Sequence, residues 1–246
     1  ENFKPLFAGC AGLTFLSCLV DVEALPSSVS QLAQLQHLAV SISFTDFDDT
    51  LVQLDSFPAL RSLSGCKLRV EASKPPQQLT SISLDIGHLG GCSCGMPALE
   101  ELEVIAEDSE RLDLAWWPRL RVLVFDDANI VVSSPPLYLT SMQLIATSSK
   151  PFTDYGLLPA LAELSVANCR APLQVPSSLT KLYCNCDGFP LPGDASLPGL
   201  KSVTLYCYPD TTLPKVCCIL ETAAVAIYVL LSIRGCCRGI IHSTLL

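Results

Sequence analysis

Phe57-Pro-Ala-Leu-Arg-Ser-Leu63 returns as Met96-Pro-Ala-Leu-Glu-Glu-Leu102, Leu158-Pro-Ala-Leu-Ala-Glu-Leu164 and Leu197-Pro-Gly-Leu-Lys-Ser-Val203, and more loosely as Trp117-Pro-Arg-Leu-Arg-Val-Leu123. A second kind of segment interleaves with these: Gln78-Leu-Thr-Ser-Ile82, Tyr138-Leu-Thr-Ser-Met142 and Ser178-Leu-Thr-Lys-Leu182, preceded by Pro75-Pro76, Pro135-Pro136 and Pro176. Both kinds share Leu-x-x-Leu-x-Leu, whose first position falls at Leu13, Leu35, Leu60, Leu79, Leu99, Leu120, Leu139, Leu161, Leu179 and Leu200, about 21 residues apart on average. Of the 30 residues at positions one, four and six, 29 are apolar, Gly65 being the exception, whereas positions three and five hold only 5 apolar residues in 20. That alternation suits a short strand with one buried face. The Pro before each segment cannot donate to a ladder and marks where a strand begins. One such strand cannot bury its face alone, so stacking one strand per repeat into a parallel sheet is the stable solution. About 21 residues leave little room for a helix on the way back, which predicts extended, polyproline-like or short 3₁₀ return segments.

Over roughly residues 10–210 the chain resembles the leucine-rich repeat family, in its short 20–22 residue form. The resemblance implies an α/β-type repeat solenoid, a horseshoe of about nine or ten repeats with one short parallel strand each and little helix on the convex side. It divides the chain into an N-terminal flank (1–12), the solenoid (13–214) and an apolar, helical C-terminal segment (215–246). The family's ninth position usually carries Asn or Cys. Cys169 fits, but Ser43, Leu68, Gly87, Glu107, Ala128, Thr147, Asp187 and Tyr208 do not, so the convex turns are expected to be irregular. The repeats at Leu13 and Gly65 match least well.

Half of the 246 residues are hydrophobic, 16% are charged, and the net charge is −9. This excludes an acidic disordered tail, which would be poor in apolar residues, and it argues against nucleic acid, whose phosphates attract clustered Lys and Arg. The 13 Cys are irregularly spaced and no Asn-x-Ser/Thr sequon occurs, which points to a reducing, intracellular setting rather than a disulfide framework. Residue 1 is Glu, so a processed, trimmed or fragmentary chain is expected.

The search for chemistry returns little. His37, His88 and His242 are the only histidines, and no pattern sets one beside a nucleophile; Gly-x-Ser-x-Gly, His-Glu-x-x-His and Walker A motifs are absent. The Gly-rich run Gly87–Gly95 leads into Met96-Pro97 and a strand, not into the helix N-terminus a phosphate cradle needs. Cys92-x-Cys94 and Cys184-x-Cys186 lack the usual zinc spacing, and Cys184 falls at core position six. Trp117, at the site of Phe57 and Met96, reads as core, with Trp116 beside it exposed. The expectation is a non-enzyme with no catalytic residue, cofactor or metal.

The resemblance implies binding through the concave face of the strands. Register puts Glu101, Glu103 and Asp126 there as an acidic centre with neighbouring Glu100 and Asp127, along with Gln143 and Glu163, and with Tyr183 and Tyr206 as aromatic anchors. Two readings stand: a solvated face that keeps an acidic protein soluble, and a site for a basic segment of a protein partner.

After Pro214 the repeat stops. Val216–Ile233 has 18 residues and one charge, Glu221; as a helix it would span roughly 27 Å, close to a bilayer core. A membrane anchor flanked by palmitoylable cysteines, a helical cap over the last repeat and a non-native extension all fit. The function expected from the resemblance is a non-catalytic protein–protein interaction scaffold or adaptor. Family members of this kind include cytoplasmic adaptors, ubiquitin-ligase subunits and cytoskeletal components of the cilium axoneme. The alternatives are the ligand-binding part of a membrane-attached, receptor-like protein and a fragment of a larger enzyme.

Overall fold

The structure is a computed structural model describing residues 10, 12–20, 25, 29, 31–42, 50–89, 95–105, 111–126, 129–145, 154–169, 173–186, 197–207, 226–233 and 236–244. Its strands are β1 (Phe15–Val20), β2 (His37–Ile42), β3 (Thr50–Gln53), β4 (Ser62–Glu71), β5 (Ser81–His88), β6 (Glu101–Ile105), β7 (Arg111–Asp113), β8 (Val122–Asp126), β9 (Asn129–Val131), β10 (Ser141–Ile145), β11 (Glu163–Cys169), β12 (Lys181–Cys186), β13 (Ser202–Cys207), β14 (Ala226–Ile233) and β15 (Cys236–Thr244). Thirteen of them form one sheet, twelve in the order β1-β2-β4-β5-β6-β8-β10-β11-β12-β13-β14-β15 and β3 beside β4 off this path. Every pairing along it is parallel except the last, β14 with β15.

The register follows the Leu-x-x-Leu-x-Leu frame. Each of the ten strands on this path from β1 to β13 begins at position three, and these residues stand abreast: Phe15, His37, Ser62, Ser81, Glu101, Val122, Ser141, Glu163, Lys181 and Ser202. Positions one and four are buried from Leu35 to Val203, and position six is buried at Val40, Leu84, Val104, Phe125, Leu144, Val166 and Cys184. At the first repeat Leu13, Leu16 and Cys18 are only partly buried. Burial also pushes the Cys18 thiol pKa up.

Two backbone devices recur. The position-two carbonyl of one repeat accepts two N–H groups, from positions two and three of the next. Gln36 and His37 donate to Thr14, Arg61 and Ser62 to Gln36, and so on through Lys201 and Ser202 to Thr180. In the Leu-Thr repeats the Thr hydroxyl adds a third bond to that carbonyl: Thr80 to Arg61 at 3.0 Å, Thr140 to Arg121 at 3.2 Å, Thr180 to Ala162 at 3.0 Å. Ahead of the strand, the position-one N–H closes a tight turn onto the residue three before it, as Leu60 to Phe57, Leu120 to Trp117 and Leu161 to Leu158. Pro58, Pro118 and Pro159 thus sit at the second turn position, where a fixed φ is favourable. Their role is to turn the chain into the strand, beyond the lack of a donor that the sequence suggested. Phe57, Met96, Trp117, Leu158 and Leu197 open these turns and are buried. Trp116, expected outside, is half-buried with its ring edge-on to Trp117.

The return segments are short 3₁₀ turns, Leu54–Ser56, Leu114–Trp116 and Tyr155–Leu157. They are joined by small parallel ladders: β3 with the end of β4, β7 with β9, and a bridge between Asp154 and Gln174. This is the extended and 3₁₀ construction that repeat length predicted.

The helix expected over the C-terminal segment is not what the described part of it forms. Ala226–Ile233 is a strand, extending the sheet from β13, and Cys236–Thr244 turns back against it. Ile227, Tyr228, Val229 and Ile233 favour a pleated strand, and β13 offers it an unpaired ladder edge. Residues 211–225 lie outside the described residues. Among those described, no helix is long and apolar enough to cross a membrane.

Candidate protein-binding face

The face of the sheet opposite the core carries positions three and five, two residues per strand, side by side at about 4.8 Å per strand. Glu101 and Glu103 stand out from β6 and are exposed. Each accepts from the Ser one strand back: Ser81 Oγ to Glu101 Oε2 at 3.4 Å, Ser83 Oγ to Glu103 Oε2 at 2.8 Å. Among the described residues neither carboxylate meets a cation. Glu100 does, at 3.8 Å from Arg121. On the other side of the two carboxylates lie Val122 and Val124 of β8, half-buried. The acidic pair is therefore bordered by hydroxyls on one side and methyl groups on the other.

Farther along, Ser141, Met142, Gln143, Glu163, Leu164, Ser165, Lys181, Leu182, Tyr183, Ser202 and Thr204 line a depression of about 280 Å³. Glu163 Oε1 accepts from Lys181 Nζ at 2.5 Å, with both side chains about half exposed. At that exposure the ion pair is worth roughly 0–1 kcal/mol, so it sets the orientation of the two groups more than it stabilises the fold. The Tyr183 ring stands at the rim, 38% exposed.

The expected site residues thus divide. Gln143, Glu163 and Tyr183 share the depression. Glu101 and Glu103 form a separate acidic patch. The row runs Glu103, Val124, Gln143, Ser165, Tyr183, which places Tyr183 four strands, about 19 Å, from Glu103. Asp126 ends β8 between Ile105 and Ile145, and Tyr206 lies on β13 beside Asn185; their side chains, and all of Asp127, lie outside the described residues. Register alone places Lys181 beside Glu163, and Val122 and Val124 on this face as two of the five apolar residues at positions three and five; none of the three is among the expected site residues.

Cys184 is buried at core position six, as its register predicted. Cys92 and Cys94 lie outside the described residues. Among the described residues Cys10, Cys18 and Cys184 are free thiols. Among the described residues no group of His, Cys, Asp and Glu is arranged to hold a metal ion.

No protein-family model and no curated protein matches the chain. One similar solved structure is the leucine-rich repeat domain of the type III effector XCV3220 (XopL), at 14% identity over 90% of this chain and 79% of that one, with a TM-score of 0.39. What is established for this chain is a parallel-strand repeat solenoid of the leucine-rich-repeat-like kind, read from its own repeat and ladder.

Proposed function

We propose that this protein is a non-catalytic interaction scaffold that binds a protein partner across the solvent face of its sheet. The observation that carries the reading is the pairing of two unneutralised carboxylates, Glu101 and Glu103, with the apolar strip Val122–Val124. That combination suits an extended segment bearing a Lys or Arg next to an apolar side chain, with attraction guiding the encounter and burial holding it. The depression around Gln143, Glu163 and Tyr183 supplies a second contact of mixed polarity. The setting we infer is intracellular, supported by the irregular Cys spacing and by the lack of an Asn-x-Ser/Thr sequon in this sequence.

Peptides displayed on phage and selected against the 246-residue chain test this directly. The selected set is expected to be enriched in Lys and Arg beside an apolar residue, and to lose at least about tenfold in affinity for Glu101→Lys with Glu103→Lys. Selected peptides that bind the double variant as well as the parent would sink the proposal.

A further inference from the structure

Three segments leading into strands share one sequence pattern. Pro75-Pro76-Gln77-Gln78 leads to Leu79, Pro135-Pro136-Leu137-Tyr138 to Leu139, and Val175-Pro176-Ser177-Ser178 to Leu179. In each, the closing Leu is buried in the core and the two residues before it form the outside of the turn. Outside positions are expected to be polar, and at Gln77, Gln78, Ser177 and Ser178 they are. Gln77 Nε2 donates to the Pro75 carbonyl and Ser178 Oγ to the Leu161 carbonyl. The middle turn breaks the pattern. Leu137 and Tyr138 are 65% and 60% exposed. Among the described residues, Tyr138 makes no hydrogen bond, ion pair or ring contact. Both side chains are left largely to solvent, so an apolar pair at this position is in want of another explanation.

We propose that Pro135-Pro136-Leu137-Tyr138 is a docking segment for a WW-type domain. Such domains recognise Pro-Pro-x-Tyr by laying proline rings in a groove walled by aromatic side chains and taking the Tyr in an adjoining pocket. The stretch has that spacing and lacks the Pro-x-x-Pro spacing that an SH3 groove reads. Pro135, Leu137 and Tyr138 are exposed while Pro136 is buried, so the folded segment offers one proline ring and the tyrosine, and the second ring docks only if the turn opens. The tyrosine hydroxyl is available for a hydrogen bond inside the pocket. The site lies on a return turn and leaves the sheet face open, so it stands or falls independently of the scaffold reading above.

The test is calorimetric titration of the full 246-residue chain with a purified WW domain of the class that takes Pro-Pro-x-Tyr peptides. One-to-one binding is expected, weakened about tenfold or more by Tyr138→Ala, with circular dichroism confirming that the variant stays folded. The Gln segment supplies a gain-of-function check, because Gln78→Tyr writes Pro-Pro-x-Tyr at the matching place in its repeat, where Pro76 is only half-buried, and is expected to raise the stoichiometry to two. No binding by the full chain, even where a free peptide of residues 131–141 binds, would mean that the buried Pro136 withholds the motif, and the proposal falls. It falls equally if Tyr138→Ala binds like the parent, or if the Gln78→Tyr chain still takes a single domain.

Discussion

A Cβ placed on Gly65 would lie 2.2 Å from the Val40 carbonyl oxygen and 2.7 Å from Leu68 Cδ1. Gly65 is the one non-apolar residue at position six, and this contact says why. Leu68, three residues on at the ninth position of the same repeat, is fully buried and fills the space where a position-six side chain would sit. Lys67 between them takes a left-handed φ of 53°, and the ladder to β5 skips it, passing from Cys66–Asp85 to Leu68–Gly87. The sequence flagged Gly65 as a weak repeat; it could not show that the core is completed by a residue outside the frame, because compensation of that kind depends on where the backbone bends. Gly65→Ala is expected to destabilise by about 1–3 kcal/mol, the cost of overpacking against backbone that cannot step aside. At Gly12 nothing among the described residues lies within 4 Å of the added carbon, so Gly12→Ala is the control, and urea midpoints should separate the two.

At the scale of elements, the return turns are tied by carboxylates. Asp55 accepts from the Ser73 N–H at 2.9 Å, the Ser73 hydroxyl at 2.6 Å and the Lys74 N–H at 3.2 Å. Asp113 repeats the theme, accepting from the Ala115 and Ser133 N–H groups and the Ser133 hydroxyl. The Ser73 hydroxyl, ahead of the Ser73 N–H, holds the Asp55 carboxyl below its ordinary pKa. A carboxyl whose pKa is lower folded than unfolded contributes stability above the ordinary range, about pH 4, and loses it as pH falls through the folded value. Urea midpoints followed from pH 6 down to pH 3 should therefore drop less steeply for Ser73→Ala than for the parent; equal slopes would show that the tie does not act in solution. Neither tie was legible beforehand, since Asp55 and Asp113 stand at different places relative to their turns and share only the Ser they meet. Strand register was legible, because a period of two leaves one choice of buried face. The C-terminal run was misread for a related reason: when nearly every residue is apolar the period vanishes, and length alone favoured a helix.

For the whole molecule, the sheet runs in chain order, and its final pairing reverses direction. Without β14 and β15, the far edge of β13 would present an unpaired ladder, and open edges of this kind invite association. A chain ending at residue 207 is expected to melt about 5 °C or more below the 246-residue chain and to aggregate more readily; equal melting curves would show that the terminal hairpin adds nothing to the solenoid. Comparing the same two chains after alkaline carbonate washing of cell membranes separates this structural role from anchoring, since an anchor keeps only the longer chain in the pellet. The pairing order has one more consequence. From β1 to β13 each strand on the twelve-strand path finds its partner some twenty residues upstream, and no early strand waits for a late one. A ribosome emitting this chain from the N-terminal side can hand over each strand to a template already in place, so that the protein grows by accretion and passes through synthesis with one unfinished edge at a time.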